Sequence, residues 1–248
     1  MALCRACDQA LVLEVEGDDG HETIVPDDVL LSCECHFHWQ CLLDEASAVA
    51  VSLKCPHCDA FLPVNQPGPS STNTMLPVNA SAPILVQYTN EGGVQNDLDI
   101  LPSITEEAFF ESNPEARRAK AMHTMCFEGD AEGIMDLLRD ASEEGANVED
   151  LIRFQDPLED LKSALHYAVE GNHEAVVWLL LWLSSSLPTS DFPEPVQDQA
   201  KALSINRLSV GPEGDIRTLR DEHGLTAGDI AQRFGHMSHL LEAGYLHA

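Results

Sequence analysis

The chain has 248 residues, enough for one sizeable domain or two small ones. Its 44% hydrophobic content argues for a folded chain, and 42 acidic against 13 basic residues set a formal charge of −29 at neutral pH. Such a field repels phosphate backbones and anionic lipid, so neither nucleic acid nor a membrane is an expected partner, and basic protein surfaces are the natural complement.

The first residues, Met1 to Leu13, lack the basic segment, apolar run and cleavage site of a secretory signal. The most apolar run, 175–183, falls well short of the ~20 residues that span a bilayer. An intracellular chain, cytoplasmic or nuclear, is therefore expected, and the glycosylation-type triplet Asn79-Ala80-Ser81 then carries no meaning.

Seven of the eight cysteines lie between positions 4 and 58, and only Cys126 stands apart, as a small buried residue. In a reducing compartment such crowding points to metal rather than disulfides. Cys4-x-x-Cys7 and Cys55-Pro56-His57-Cys58 are two knuckles, each able to direct two thiolates at one tetrahedral ion. Between them lie Cys33, Cys35, His38 and Cys41, and with His38 the donors number eight, as two closed structural Zn²⁺ sites require. Residues 11–15 and 29–31 read as short strands, 41–53 as one helix, and Phe37 as packing between the sites. About sixty residues make a thin apolar core, to which zinc coordination can add on the order of 10 kcal/mol.

The order and spacing of Leu31-Ser32-Cys33-Glu34-Cys35-His36-Phe37-His38-Trp39-Gln40-Cys41, with the flanking knuckles, resemble the RING-type zinc-finger family, with cysteine at the fourth ligand where many members carry histidine. PHD and RING-CH domains share the ligand order but leave a longer gap before the histidine. The resemblance implies a cross-brace in which Cys4, Cys7, His38 and Cys41 hold one ion, and Cys33, Cys35, Cys55 and Cys58 the other. His36 is the alternative to Cys35, which has the family register. The resemblance also implies that Ala6, Leu42, Pro56 and Asp59 contact a ubiquitin-conjugating enzyme. Leu42 and Pro56 follow the family pattern, whereas Ala6, Glu45 and Asp59 depart from it; a basic residue is usual where Asp59 stands.

Residues 62–104 hold six prolines, several Ser, Asn and Gly residues, and no Lys or Arg, which reads as a connector. Within it, 84–88 is apolar enough to form a strand. Ser103-Ile104-Thr105-Glu106 has the form of a capping box opening a helix through Phe109 and Phe110.

Three stretches then align with one another, around His123, around His166 and from Asp221 to Leu241. Their cores are Ala121-Met122-His123 through Gly129-Asp130, Ala164-Leu165-His166-Tyr167-Ala168 through Gly171-Asn172-His173, and Gly224-Leu225-Thr226-Ala227 through Gly235-His236, each followed by aliphatic residues. They resemble ankyrin repeats, placed near 119–141, 160–183 and 221–244, with the first degenerate. The resemblance implies that the histidine bonds between neighbouring units and that the glycine ends the first helix of each pair. Insertions fall near 142–156 and 184–220, and 195–203 has the character of a fourth, eroded repeat. Trp178 and Trp182 read as core packing.

The expected architecture is multi-domain: a small zinc-stabilised α+β RING-like domain over 1–61, a linker over 62–104, and an all-α ankyrin-repeat solenoid over 105–248. By resemblance such a chain is a ubiquitin ligase that positions a charged conjugating enzyme while the repeats recruit a protein substrate. The alternative is a non-catalytic zinc-stabilised adaptor. No side chain is assigned covalent catalysis, because closed zinc sites leave no open coordination position.

Overall fold

A computed structural model describes residues 2–16, 22–63, 83–202, 207–208, 210–211 and 214–247. The chain forms two compact units, Met1–Asn113 and Pro114–Ala248. Among the described residues no helix is long and apolar enough to cross a membrane.

In the first unit, β1 (Val12–Glu16) and β2 (Glu22–Pro26) form an antiparallel hairpin. A second sheet joins β3 (Asp28–Leu30), β4 (His36–Phe37), β5 (Leu85–Asn90) and β6 (Gly93–Asp99) in the order β4-β3-β5-β6. Buried Val29 pairs with Phe37 on one side and Tyr88 on the other, making β3 the hub. The helix expected over 41–53 is two helices, α1 (Trp39–Leu43) and α2 (Ala46–Ser52). The break frees α2 to turn Ala46, Val49 and Ala50 into the core while α1 carries Cys41.

Residues 84–104 belong to this unit and are not a connector. Ile84, Val86, Ile100, Leu101 and Ile104 are all buried in the same core as Val29, Leu31 and Phe37. The Asn79 triplet and the remainder of 64–82 lie outside the described residues. Helix α3 (Leu101–Ser112) starts before the expected capping box, with Pro102 in its first turn. The Asp99 carboxylate supplies the cap, accepting from the backbone N–H groups of Ile84 and Leu101, both at 3.1 Å. Thr105 lies inside the helix and donates its hydroxyl back to the Leu101 carbonyl. Helix α3 packs on α2, and Ser47 donates to Glu111.

The second unit contains three helix hairpins: α4 (Pro114–Glu128) with α5 (Ala131–Glu143), α7 (Ala164–Glu170) with α8 (Glu174–Ser184), and α10 (Ala227–Phe234) with α11 (Ser238–Glu242). Helix α7 packs against both α4 and α10. The first insertion carries α6 (Val148–Arg153) and the short pair β7 (Gln155–Asp156) and β8 (Lys162–Ser163). The second carries α9 (Glu194–Ala202), flanked by 3-10 turns at Thr189–Asp191 and Ile216–Thr218. Cys126 is fully buried among these helices, and desolvation pushes its thiol up to about 12, so it is packing rather than a reactive group.

Gly129, with φ +86°, ends α4, and Gly171 ends α7. The His173 ring lies against both glycines, and a Cβ at Gly171 would collide with the Phe127 carbonyl as well. Because the obstruction includes backbone, Gly171→Ala should destabilise the chain by about 1–3 kcal/mol, measurable as a shift of the denaturant midpoint at unchanged slope.

The histidines of the hairpins differ in their satisfaction. His166 Nε2 donates to the Leu225 carbonyl at 3.1 Å, and its Nδ1 accepts from the Ser163 hydroxyl at 2.8 Å. His123 is 1% exposed, sits 4.8 Å from the Tyr167 ring centroid, and has no hydrogen-bond partner on either nitrogen. Burial, followed by the nearby Lys120 charge, lowers its pKa to about 4. The Phe154 backbone favours the charged ring slightly but lacks hydrogen-bond geometry. The unfolded chain therefore takes up the proton first, and stability falls as pH drops from 6.5 towards 4. Relative to His123→Leu, the wild type should lose about 2 kcal/mol between pH 7 and 5, read from denaturation curves at the two pH values. At pH 7 the variant should be no less stable, since it removes two unpaired buried nitrogens.

Candidate metal centres

The two knuckles share one backbone design. Cys4 N–H donates to the Gln9 carbonyl and Asp8 N–H to the Cys4 carbonyl, both at 2.9 Å. In the second knuckle Cys55 N–H donates to Ala60 at 2.9 Å, and Asp59 N–H donates to Cys55 at 3.0 Å. Bridges Leu3–Ala10 and Lys54–Phe61 close the two turns in the same register. Asp8 and Asp59 follow the second cysteine in each, both left-handed with φ 59°. Asp tolerates that backbone conformation better than most side chains. Asp59 thus has a local structural role that its reading as a reversed contact charge did not contain. The repeated Cys-x-x-Cys-Asp string was the available signal.

The central donors come from the β3–β4 turn and the start of α1. Glu34 takes φ 62° between Cys33 and Cys35, and Leu31 N–H closes the turn on the Cys35 carbonyl at 3.0 Å. His38 is the extended residue preceding α1, so Cys41 stands one turn along on the same side.

The eight donors gather into two groups, Cys4–Cys7–His38–Cys41 and Cys33–Cys35–Cys55–Cys58, with the ligand atoms of each group within 4.8 Å of one another. The groups alternate along the chain, as the cross-brace requires. Cys35 belongs to the second group and His36 does not: His36 Nδ1 bonds Asp28 Oδ1 at 2.8 Å instead.

The first group also assigns its imidazole nitrogen. His38 Nε2 lies 2.8 Å from the Ala10 carbonyl oxygen and must donate to it. This leaves the lone pair on Nδ1, which is 3.4 Å from Cys7 Sγ and 3.7 Å from Cys41 Sγ. A tetrahedral zinc with ordinary Zn–S and Zn–N bonds separates sulfur from nitrogen by about 3.6 Å. The Ala10 carbonyl is thus the outer partner that orients a metal-binding histidine.

The donor chemistry fits a cation as well. Burial raises the Cys4 thiol, but the backbone N–H groups of Cys7, His38 and Ala6 outweigh it and bring the pKa to about 6. Burial, followed by the neighbouring Cys7 and Cys4 sulfurs, pushes Cys41 up to about 12, and burial with three adjacent cysteines raises Cys35 likewise. Four sulfurs at such range cannot all ionise without a positive centre, which a divalent cation supplies. Both tetrads are geometrically compatible with Zn²⁺.

Asp27 links the first centre to the added hairpin. It is 2% exposed and accepts from Trp39 N–H at 3.1 Å and from the Tyr88 hydroxyl at 3.1 Å. Burial and the Asp27 charge raise the Tyr88 pKa, keeping the hydroxyl a donor. The Trp39 and Tyr88 rings lie 5.0 Å apart. Neither Asp27 nor Tyr88 stood out as a site residue in sequence; the apolar run ending at Tyr88 was the only sign. Of the expected contact residues, Ala6, Pro56 and Asp59 are exposed, whereas Leu42 is 2% exposed within the core and offers no surface.

Elemental analysis should find two zinc ions per chain. His36→Ala should retain both, while Cys35→Ser should lose at least one, and a strong chelator should abolish cooperative unfolding of the first unit. Comparisons with protein-family models, curated proteins and solved structures return no match, so the assignment rests on the donor geometry itself.

Proposed function

We propose that the chain is a RING-type ubiquitin ligase whose first unit, braced by two structural zinc ions, docks a ubiquitin-conjugating enzyme. The observation that carries the reading is the alternation of the two donor tetrads along the chain. In this reading zinc fixes the backbone of the knuckles and takes no part in the reaction. Exposed Ala6, Pro56 and Asp59 contact the conjugating enzyme, and the restrained ubiquitin thioester is attacked by a substrate lysine. The helix hairpins of the second unit serve as an ankyrin-type array that recruits the protein substrate. The bond from His166 to the Leu225 carbonyl supports this, since it ties one hairpin to the segment opening the next.

A second reading, a zinc-stabilised adaptor, is favoured by two observations. Leu42 is buried rather than available, and Asp59 presents a negative charge where the ligase family presents a positive one.

Discharge of ubiquitin from a panel of charged conjugating enzymes to free lysine separates the readings. With zinc-loaded chain, at least one enzyme should discharge faster. Pro56→Ala should slow the accelerated reaction roughly tenfold, the scale of losing a central contact residue, and His38→Ala should abolish it. Asp59→Asn keeps a side chain suited to the left-handed turn while removing the charge, and should raise the rate. No acceleration across the panel from a folded, zinc-loaded chain would leave the adaptor reading.

A further inference from the structure

The second unit carries a groove of about 1020 Å³ to which the reading of the hairpins as a recruiting array assigns no particular ligand. One wall is the α8 face bearing Ala175, Trp178, Leu179 and Trp182, spaced three or four residues apart. The opposite wall comes from α5 through Met135 and Leu138, and Val196 of α9 contributes apolar surface. The volume exceeds that of most enclosed small-molecule sites, and exposed residues such as Ala175, Glu132 and Ser142 line it.

The tryptophans in the α8 wall are held in place. Trp178 and Trp182 pack edge-on against Phe192, with centroids 5.7 and 5.1 Å away. The Arg207 guanidinium lies 5.5 Å from the Trp182 ring centroid and 5.0 Å from that of Phe192. Trp178 Nε1 donates to Glu174 Oε1 at 3.2 Å; the two tryptophans are buried and form the floor, while exposed Ala175 and half-buried Met135, Leu179 and Val196 carry the accessible apolar surface. Such a surface requires little ordering on binding.

Glu132, Asp136, Glu143 and Glu174 give the lining an acidic character. Its one basic residue, Arg139, is already paired with Asp136 at 2.7 Å. A second copy of a chain carrying −29 would bring like charge to this lining.

We propose that the groove between α5 and α8 docks an amphipathic helix of a partner protein, with aliphatic or aromatic side chains on one face and Lys or Arg flanking them. The proposal does not depend on ligase activity in the first unit.

The test is a display selection of short randomised peptides against the zinc-loaded full chain, with the Ala175→Arg chain as counter-selection. Ala175 is exposed on α8, so this variant blocks the groove without entering the core; its thermal unfolding should match the wild type. Enriched peptides should carry apolar residues at helical spacing with flanking basic ones. A selected peptide should alter tryptophan emission and weaken with added salt. Ala175→Arg should reduce its affinity roughly tenfold or more, and Glu132→Lys with Glu143→Lys should also reduce it. Three results would each overturn the proposal: no enrichment over Ala175→Arg, enriched peptides without basic residues, or a concentration-dependent dimer of the chain that Ala175→Arg dissolves. The last would assign the groove to a second copy.

Discussion

Seven thiols and one imidazole from four separate segments meet in two groups whose donor atoms lie within 4.8 Å. That proximity is the constraint on which the first unit turns. Burial and mutual repulsion hold Cys35 and Cys41 protonated when only neighbouring sulfurs are near, whereas coordination deprotonates each ligand and offsets the charge at its centre. Because the tetrads alternate, an ion in either would close a loop that contains donors of the other, and loss of one would loosen the segment that presents the second. The surrounding backbone is built to that end: the knuckles repeat one hydrogen-bond pattern, and the Ala10 carbonyl fixes the His38 tautomer.

The second unit is held by close backbone fit and by hydrogen bonds at its seams. Its hairpins approach closely because Gly129 and Gly171 leave room for the His173 ring and for the Phe127 carbonyl. Polar groups at the seams then need partners. His166 finds Ser163 and Leu225, His236 finds the Val169 carbonyl, and Asp229 completes a reciprocal cap with Thr226. Buried Asp215 accepts from Ser186 N–H and hydroxyl and from Arg217, whose guanidinium also reaches the His247 carbonyl, so one ion pair joins three separated segments. His123 is an exception, as is the buried Ser184 hydroxyl, and the unpaired ring lies in the hairpin whose sequence departs furthest from the shared pattern.

What sequence reveals here follows the chemistry of each residue. Cysteine and histidine at fixed spacing are conspicuous, so both tetrads were legible, including the preference for Cys35 over His36. The three hairpins were legible through their repeated Gly, His and aliphatic positions. Of the β5–β6 hairpin only the first strand was legible, as the apolar run 84–88; β6 and the burial of Ile100, Leu101 and Ile104 were not, because they sit in a stretch whose composition reads as connector. Strand β5 pairs with β3 and α3 packs on α2, long-range contacts that composition does not carry. The start of α3 was misplaced for a related reason. The local string at 103–106 matched a cap, but Asp99 gains more by bonding both Ile84 and Leu101 at the end of β6. Leu42 likewise matched a contact pattern, while in α1 it packs into the core of the first unit.

These displacements sharpen what the first unit can offer a partner. Helix α3 covers α2, and β5 covers the open edge of β3, so two faces of a minimal zinc fold are consumed internally. The two knuckles remain, with Ala6 on one and Pro56 on the other, both exposed on turns that share one backbone hydrogen-bond pattern. Zinc in both tetrads would hold these two turns more firmly than side-chain packing alone. The two readings differ in the charge on the second knuckle, where exposed Asp59 occupies a left-handed turn position three residues after Pro56. A carboxylate at that position disfavours an acidic surface against the second knuckle and suits a basic or neutral one.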